Sequence, residues 1–80
     1  MADSLHQERR ALAIAVRELR ARKTLKQEEV AEAADLGRNY MTTLEGGRGN
    51  PTFVALVRLS RALGIPLSEL IATYEQRLED

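Results

Sequence analysis

Apolar positions along the chain recur with helical spacing, and no stretch shows the sustained alternation of a half-buried strand. Leu12, Val16 and Leu19 form one stripe over 8–22, a run of good helix formers. Val30 and Ala34, with Ala31 and Ala33 beside them, predict a short second helix over 27–34. Over 38–45, Met41 and Leu44 fall on one arc of a helical wheel, and Arg38, Asn39, Thr42 and Thr43 on the opposite one. Phe53, Leu56, Leu59 and Leu63 predict a fourth helix over 52–63 and form its core line. A fifth starts at Pro66 and ends near Leu78, with Leu67, Leu70, Ile71 and Tyr74 along one side and Gly64 just upstream. Five helices joined by short loops make a compact all-α domain.

The third helix is unusual in its polar arc. It carries no Lys–Glu ladder of the kind a solvated face carries, but donors and acceptors in compact geometries. Its junction with the second helix is only Asp35 to Gly37. A turn that short does not suit an antiparallel hairpin of long helices; it suits the steep crossing of a helix-turn-helix. Leu36 would then be buried between the two helices, and Gly37 would serve as an N-cap. From spacing alone, an ordinary corner in a small helical bundle fits equally well.

Eighty residues allow one domain with a small core. Twelve basic and twelve acidic residues cancel, which argues against a polybasic tail but leaves local patches open. The absence of Cys excludes disulfides and thiolate metal sites and is compatible with a cytoplasmic location. No apolar run is long enough to span a membrane, and no leader-like segment follows the N-terminus, so no membrane partner is expected. His6 is the only histidine, and it falls in a segment, 1–7, expected to be a frayed tail ahead of a single domain over 8–80. One His without Cys supports neither a metal site nor a His-based triad. The Gly-Gly-Arg-Gly run lacks the strand and the Lys of a P-loop. Glu28-Glu29 and Glu79-Asp80 read as solvated surface. No enzyme activity, metal or cofactor is therefore expected.

Three segments taken in order are more specific than any one alone: "VRELRARKTLKQEEVAEAA", "LGRNYMTTLEGGRGNPT" and "LVRLSRALGIPLSELI". The spacing of Arg20, Gln27, Leu36, Glu45, Gly47, Asn50-Pro51 and Leu63-Gly64 resembles the phage-repressor-like (Cro/C1, XRE) helix-turn-helix family. The resemblance runs from about Leu12 to Ile71. It implies a five-helix, lambda-repressor-like domain that binds double-stranded DNA as a homodimer and reads the major groove with helix 38–45. Arg38, Asn39 and Thr43 match the family's base-reading positions, and Thr42 shares their arc. Arg suits guanine, Asn suits adenine, and Thr meets a thymine methyl or hydrogen-bonds. Gln27, Tyr40 and Arg48 match phosphate contacts, and Thr52 opens the fourth helix where a phosphate can meet a helix N-terminus. Arg20 and Glu45 match a structural ion pair between the first and third helices.

Departures from the family pattern are few. Lys26 stands where Ser or Thr is common; it cannot accept an N-cap bond but can add a phosphate contact. Asp35 holds a turn position usually given to Gly and tolerates a left-handed backbone better than most residues. Gly46 and Gly49 leave only main-chain contacts where some relatives place side chains. Ile14 is apolar where relatives are polar, and the sequence offers no reason for it.

The leading reading is a sequence-specific transcriptional regulator, with the acidic residues of the second and fifth helices lying away from the DNA face. The alternatives are an antitoxin-like module that binds a protein partner, and a structural domain whose DNA face has lapsed. The chain ends soon after the fifth helix, so no small-molecule effector is expected. Controller proteins of restriction-modification systems similarly open the recognition helix with Arg-x-Tyr and follow it with Asn-Pro. They fit as well as a phage-type repressor. Val54, Val57, Tyr74 and Leu78 supply material for a dimer interface that includes the C-terminal helix. In the competing arrangement, Tyr74 and Leu78 fold back on the first helix near Ile14 and the valines stand singly exposed.

Overall fold

The computed structural model describes residues 5–80. Five helices follow in order: α1 (His6–Arg22), α2 (Gln27–Ala33), α3 (Arg38–Glu45), α4 (Phe53–Ala62) and α5 (Leu67–Glu79). No strand occurs among the described residues, and none of their helices is long and apolar enough to cross a membrane. Helix α1 buries Val16 and Leu19 on a face otherwise lined with alanines, which lets neighbouring helices approach closely. The core gathers Val30 and Ala34 from the second helical segment, Met41 and Leu44 from α3, Leu59 and Leu63 from the fourth, and Leu70 from α5. Helix α5 packs chiefly along α1, and α3 is held between α1 and α2.

Several boundaries and burials differ from the sequence reading. Of the segment expected to be a tail, His6 and Gln7 are helical and Leu5 caps them, its carbonyl accepting from Arg9 N at 3.0 Å; the rest lies outside the described residues. Ala33, set by the pattern beside the inward Val30 and Ala34, is exposed at the end of α2. Leu36 is half-buried, packed against the core edge. The largest correction is Phe53, which is 69% exposed and not part of the core. The buried line of the fourth helix is Ala55, Leu59 and Leu63, one turn apart, with Leu56 at its edge. Phe53, two residues before Ala55, points from the opposite side.

Four helices end in the same way. After α1, Leu25 N donates to Arg20 O and Thr24 N to Ala21 O; after α2, Leu36 N donates to Ala31 O and Asp35 N to Glu32 O. After α3, Arg48 N donates to Thr43 O and Gly47 N to Leu44 O; after α4, Ile65 N donates to Ser60 O and Gly64 N to Arg61 O. These are Schellman motifs, which satisfy the last carbonyls and need a left-handed residue just past the C-cap. Gly47 (φ 81°) and Gly64 (φ 70°) adopt that conformation without steric cost. Asp35 (φ 56°) and Thr24 (φ 57°) adopt it against their side chains. The next residue is apolar in three motifs: Leu25, Leu36 and Ile65 all plug into the core. In the motif after α3 that residue is the exposed Arg48.

Thr24 is the most strained of the four, because a β-branched side chain in the left-handed region is an outlier. Relieving it recovers about 1–2 kcal/mol, while glycine costs about 0.5–1 kcal/mol of extra chain entropy. Thr24→Gly should therefore raise stability by up to about 1.5 kcal/mol, read as a higher urea midpoint at unchanged m. A lower midpoint would show that the Thr24 side chain makes a compensating contact.

Candidate nucleic-acid interface

Helix α3 is short because both ends are fixed. Gly37 precedes it in extended conformation, and its carbonyl accepts from Met41 N at 3.1 Å; the Schellman motif closes the other end. Met41, Leu44 and Glu45 are buried, while Arg38, Asn39, Thr42 and Thr43 are exposed. Tyr40 stands at the boundary, 36% exposed.

Glu45 sets the direction of the helix. Its Oε2 accepts from Arg20 Nε and its Oε1 from Arg20 Nη2, both at 2.9 Å, and its side chain is only 4% exposed. Arg20 Nη1 also donates to Leu25 O at 2.9 Å, tying the end of α1 into the same cluster. Gln27 Nε2 donates to Glu45 Oε1 at 3.2 Å, and Gln27 Oε1 accepts from Thr42 Oγ1 at 3.0 Å. The first side chain of α2 is thus clamped against α3 from both of its amide atoms. One N–H of Gln27 remains for another acceptor.

The same bonds change the prospects of Thr42. Its single hydroxyl proton is shared between Gln27 Oε1 and Arg38 O, the latter at 3.1 Å, so its hydroxyl can accept from a ligand but not donate to one, and its methyl is free for apolar contact. Thr43 has no such engagement among the described residues. Thr52 Oγ1 accepts from Ala55 N at 3.1 Å and caps α4, leaving its O–H to donate outward. Lys26 offers no acceptor to the start of α2; Glu29 Oε1 instead accepts from Lys26 N at 2.7 Å, half of a capping box.

Asn39, Tyr40, Thr43, Arg48 and Asn50 line one open notch of about 370 Å³ beside α3. Asn50 was not among the residues singled out in the sequence for contact; the Asn-Pro pair after the glycine turn was the only signal for it. The acidic residues of α2 do not all lie away from this face. Glu28 Oε2 is 3.8 Å from Arg38 Nη2, both side chains being well exposed. That separation is too long for a hydrogen bond, and an exposed pair of this kind contributes little to stability.

The residues assigned to an interface divide into two places. Val54 is 54% exposed beside Phe53 on α4, with Val57 half-buried. Tyr74 lines an apolar groove with Leu5, Leu12, Pro51, Leu56 and Ile71, and Leu78 lines a notch with Ile14 and Ala11. Tyr74 and Leu78 therefore face α1, Tyr74 beside Leu12 and Leu78 beside Ile14.

Comparison with known proteins matches residues 11–72 to the family model described as "Helix-turn-helix domain". The chain is 42% identical over 62 residues to the control protein C.MunI of a Mycoplasma species, covering 76% of this chain and 84% of that one. It is 40% identical over 58 residues to the uncharacterized HTH-type transcriptional regulator y4dJ of Sinorhizobium fredii, covering 72% and 75%. Among solved structures, it resembles the restriction-modification controller protein C.AhdI from Aeromonas hydrophila with a TM-score of 0.75 at 35% identity, covering 78% of this chain and 94% of that one.

The Arg20–Glu45 cluster makes a stability prediction. Removing one member of a buried pair leaves the other uncompensated, at about 3–5 kcal/mol when burial is complete. Arg20 keeps 22% side-chain exposure, so Glu45→Ala should cost less, about 2–4 kcal/mol. Urea denaturation measures it. A loss below about 1 kcal/mol would mean that Arg20 is rehydrated freely and that the pair does not fix α3.

Proposed function

The chain belongs to the helix-turn-helix family of DNA-binding transcriptional regulators, and from that premise we propose that it acts as a homodimer on a two-half-site operator. In this reading α3 enters the major groove. The observation that carries it is the division of α3 into a buried side (Met41, Leu44, Glu45) and an exposed side (Arg38, Asn39, Thr43). The exposed side has the donors and acceptors that read base edges. Arg38 reads guanine, Asn39 reads adenine, and Thr43 and the Thr42 methyl meet thymine. Gln27, Tyr40, Arg48, Lys26 and the O–H of Thr52 hold the sugar-phosphate backbone on either side. The protein works by occupying DNA and not by catalysis, in the cytoplasm where that DNA lies.

Eight residues of helix read only a few base pairs, too few to select one site among genomic competitors. A two-fold dimer doubles the contacts and sets half-sites about 34–36 Å apart. Exposed Phe53 and Val54, with Val57 behind them, form the apolar centre of the proposed interface. Tyr74 and Leu78 take part only at its edge, because each already lies against α1. Likeness to two controllers, with most of each controller's length matched, favours a restriction-modification controller over a phage-type repressor.

Selection of bound sequences from a random duplex pool, followed by gel shifts, tests the reading. Arg38→Ala and Asn39→Ala should each lower affinity for the selected site by about 1–3 kcal/mol and relax preference at one base pair. Arg48→Ala should weaken binding to every sequence and reduce the salt slope by about one. Equal losses on selected and random DNA for the first two variants would contradict base reading.

The interface has its own test. Val54→Asp places a charge in the proposed contact without touching the core. It should sediment as a monomer, keep the wild-type circular dichroism spectrum and bind the operator more weakly. Wild-type protein that sediments as a monomer at tens of micromolar would count against the dimer.

A further inference from the structure

We infer that α1 carries a second phosphate-binding cleft, formed by Arg10, Arg17 and the Gly46–Gly47 turn, that holds DNA backbone beyond the segment read by α3. The inference rests on the reading that the chain binds duplex DNA. An open cleft of about 330 Å³ lies between α1 and the turn after α3. His6, Arg10 and Arg17 line it, at positions i, i+4 and i+11 of one helix. The two arginines lie within about 20° of each other on the helix surface and about 10 Å apart along it. Two cations so spaced suit a polymer of repeated charges better than a single small anion.

Arg10 and Arg17 are exposed and have no ion pair or hydrogen bond among the described residues. Nearby arginines are engaged: Arg20 with Glu45, Arg22 with Glu18, Arg77 with Glu18 and Asp80. The cleft does contain one carboxylate, Glu45, but its charge is balanced by the paired Arg20 guanidinium and its oxygens are taken by Arg20 and Gln27. An anion entering the cleft therefore meets two uncommitted guanidinium groups. Ile14 and Ala13 supply an apolar floor between them, which gives the apolar residue at position 14 a place.

The turn links this cleft to the proposed DNA face. A Cβ built on Gly47 would lie 3.8 Å from Arg10 Cα, and one built on Gly46 would lie 3.7 Å from Arg48 Nη2. Arg10 and Arg48 thus flank the same two-glycine turn. A strand whose phosphate meets Arg48 can continue past the turn to Arg10 and then along α1 to Arg17.

The test uses the full chain, its selected operator extended by one helical turn (about 10 bp) at each end, and the same operator without the extensions. Affinities are measured across a salt series for wild type, Arg10→Ala, Arg17→Ala and the double variant, with thermal melts to confirm the fold. On the extended duplex each single variant should lower the salt slope by about one and the double by about two, with base preference unchanged. On the short duplex wild type should already show the lower slope, and the double variant should match it. Wild-type slopes in the double variant on the extended duplex would overturn the cleft alone. Equal losses on both duplexes would overturn it too, since they report overall charge and not a contact with flanking phosphates. A wild type that binds neither duplex at low salt would overturn the DNA-binding reading itself.

Discussion

The angle at which α3 stands on the domain depends on one buried carboxylate. Glu45 accepts two bonds from Arg20 of α1 and one from Gln27 of α2, so three helices meet at a single side chain. A bidentate guanidinium–carboxylate pair constrains orientation as well as distance, and Gln27 adds a third point by accepting from Thr42 one turn earlier on α3. The cluster's net contribution to stability is modest, because desolvation of the pair offsets much of its attraction. Its larger effect is geometric. Met41 and Leu44 alone would let the helix roll on a smooth apolar surface; the polar cluster favours the one orientation in which both buried oxygens of Glu45 are paired. The exposed arc of Arg38, Asn39 and Thr43 inherits that orientation.

The loops extend the same logic. Four successive helices stop with a Schellman motif, and in three of them the following residue (Leu25, Leu36, Ile65) plugs into the core and fixes the exit path of the chain. After α3 the hydrogen bonds are kept, but the plug is replaced by Arg48. The backbone rule is obeyed and the side-chain rule is broken, which is the pattern expected where function competes with packing. The substitution also leaves the turn around Gly46 and Gly47 standing off the core, with α1 on one side and the notch of Asn39, Tyr40 and Asn50 on the other.

Much of this was legible in the sequence. The bounds of α3 coincide with the stretch marked by its two opposed arcs, because Gly37 and Gly46 leave little choice of start and stop. The fourth helix was misread because two apolar lines share Leu59 and Leu63. The line through Phe53 has larger side chains, yet the structure buries the line through Ala55, whose small side chain gives a weak sequence signal. Thr24 was invisible for a different reason: nothing in its local pattern marks a left-handed threonine. The approach of Glu28 to Arg38 depends on the crossing of α2 and α3, which no single-helix pattern contains. Tyr74 and Leu78 sit on an amphipathic helix whose partner face, α1 or a second protein, is not written in its own spacing.

Equal numbers of acidic and basic residues are an unusual basis for binding a polyanion, and their arrangement says how neutrality can help. A net charge of zero weakens long-range steering, so most of the attraction has to come from contacts within about a Debye length, 8–10 Å. Non-specific binding is almost wholly electrostatic, so cancelling the overall charge lowers it most. Base contacts lose less, because they are short, directional and made in a desolvated groove. Under the proposed base reading by Arg38, Glu28 acts in the same sense at close range. In the free protein its carboxylate lies 3.8 Å from the Arg38 guanidinium, and on a wrong sequence it leaves that guanidinium a weak alternative partner. In the proposed reading a guanine edge, which takes two hydrogen bonds at once, outcompetes that water-screened carboxylate. What selects a site in a crowded genome is the ratio of specific to non-specific affinity, and a neutral chain with a few uncommitted arginines raises that ratio by weakening its denominator.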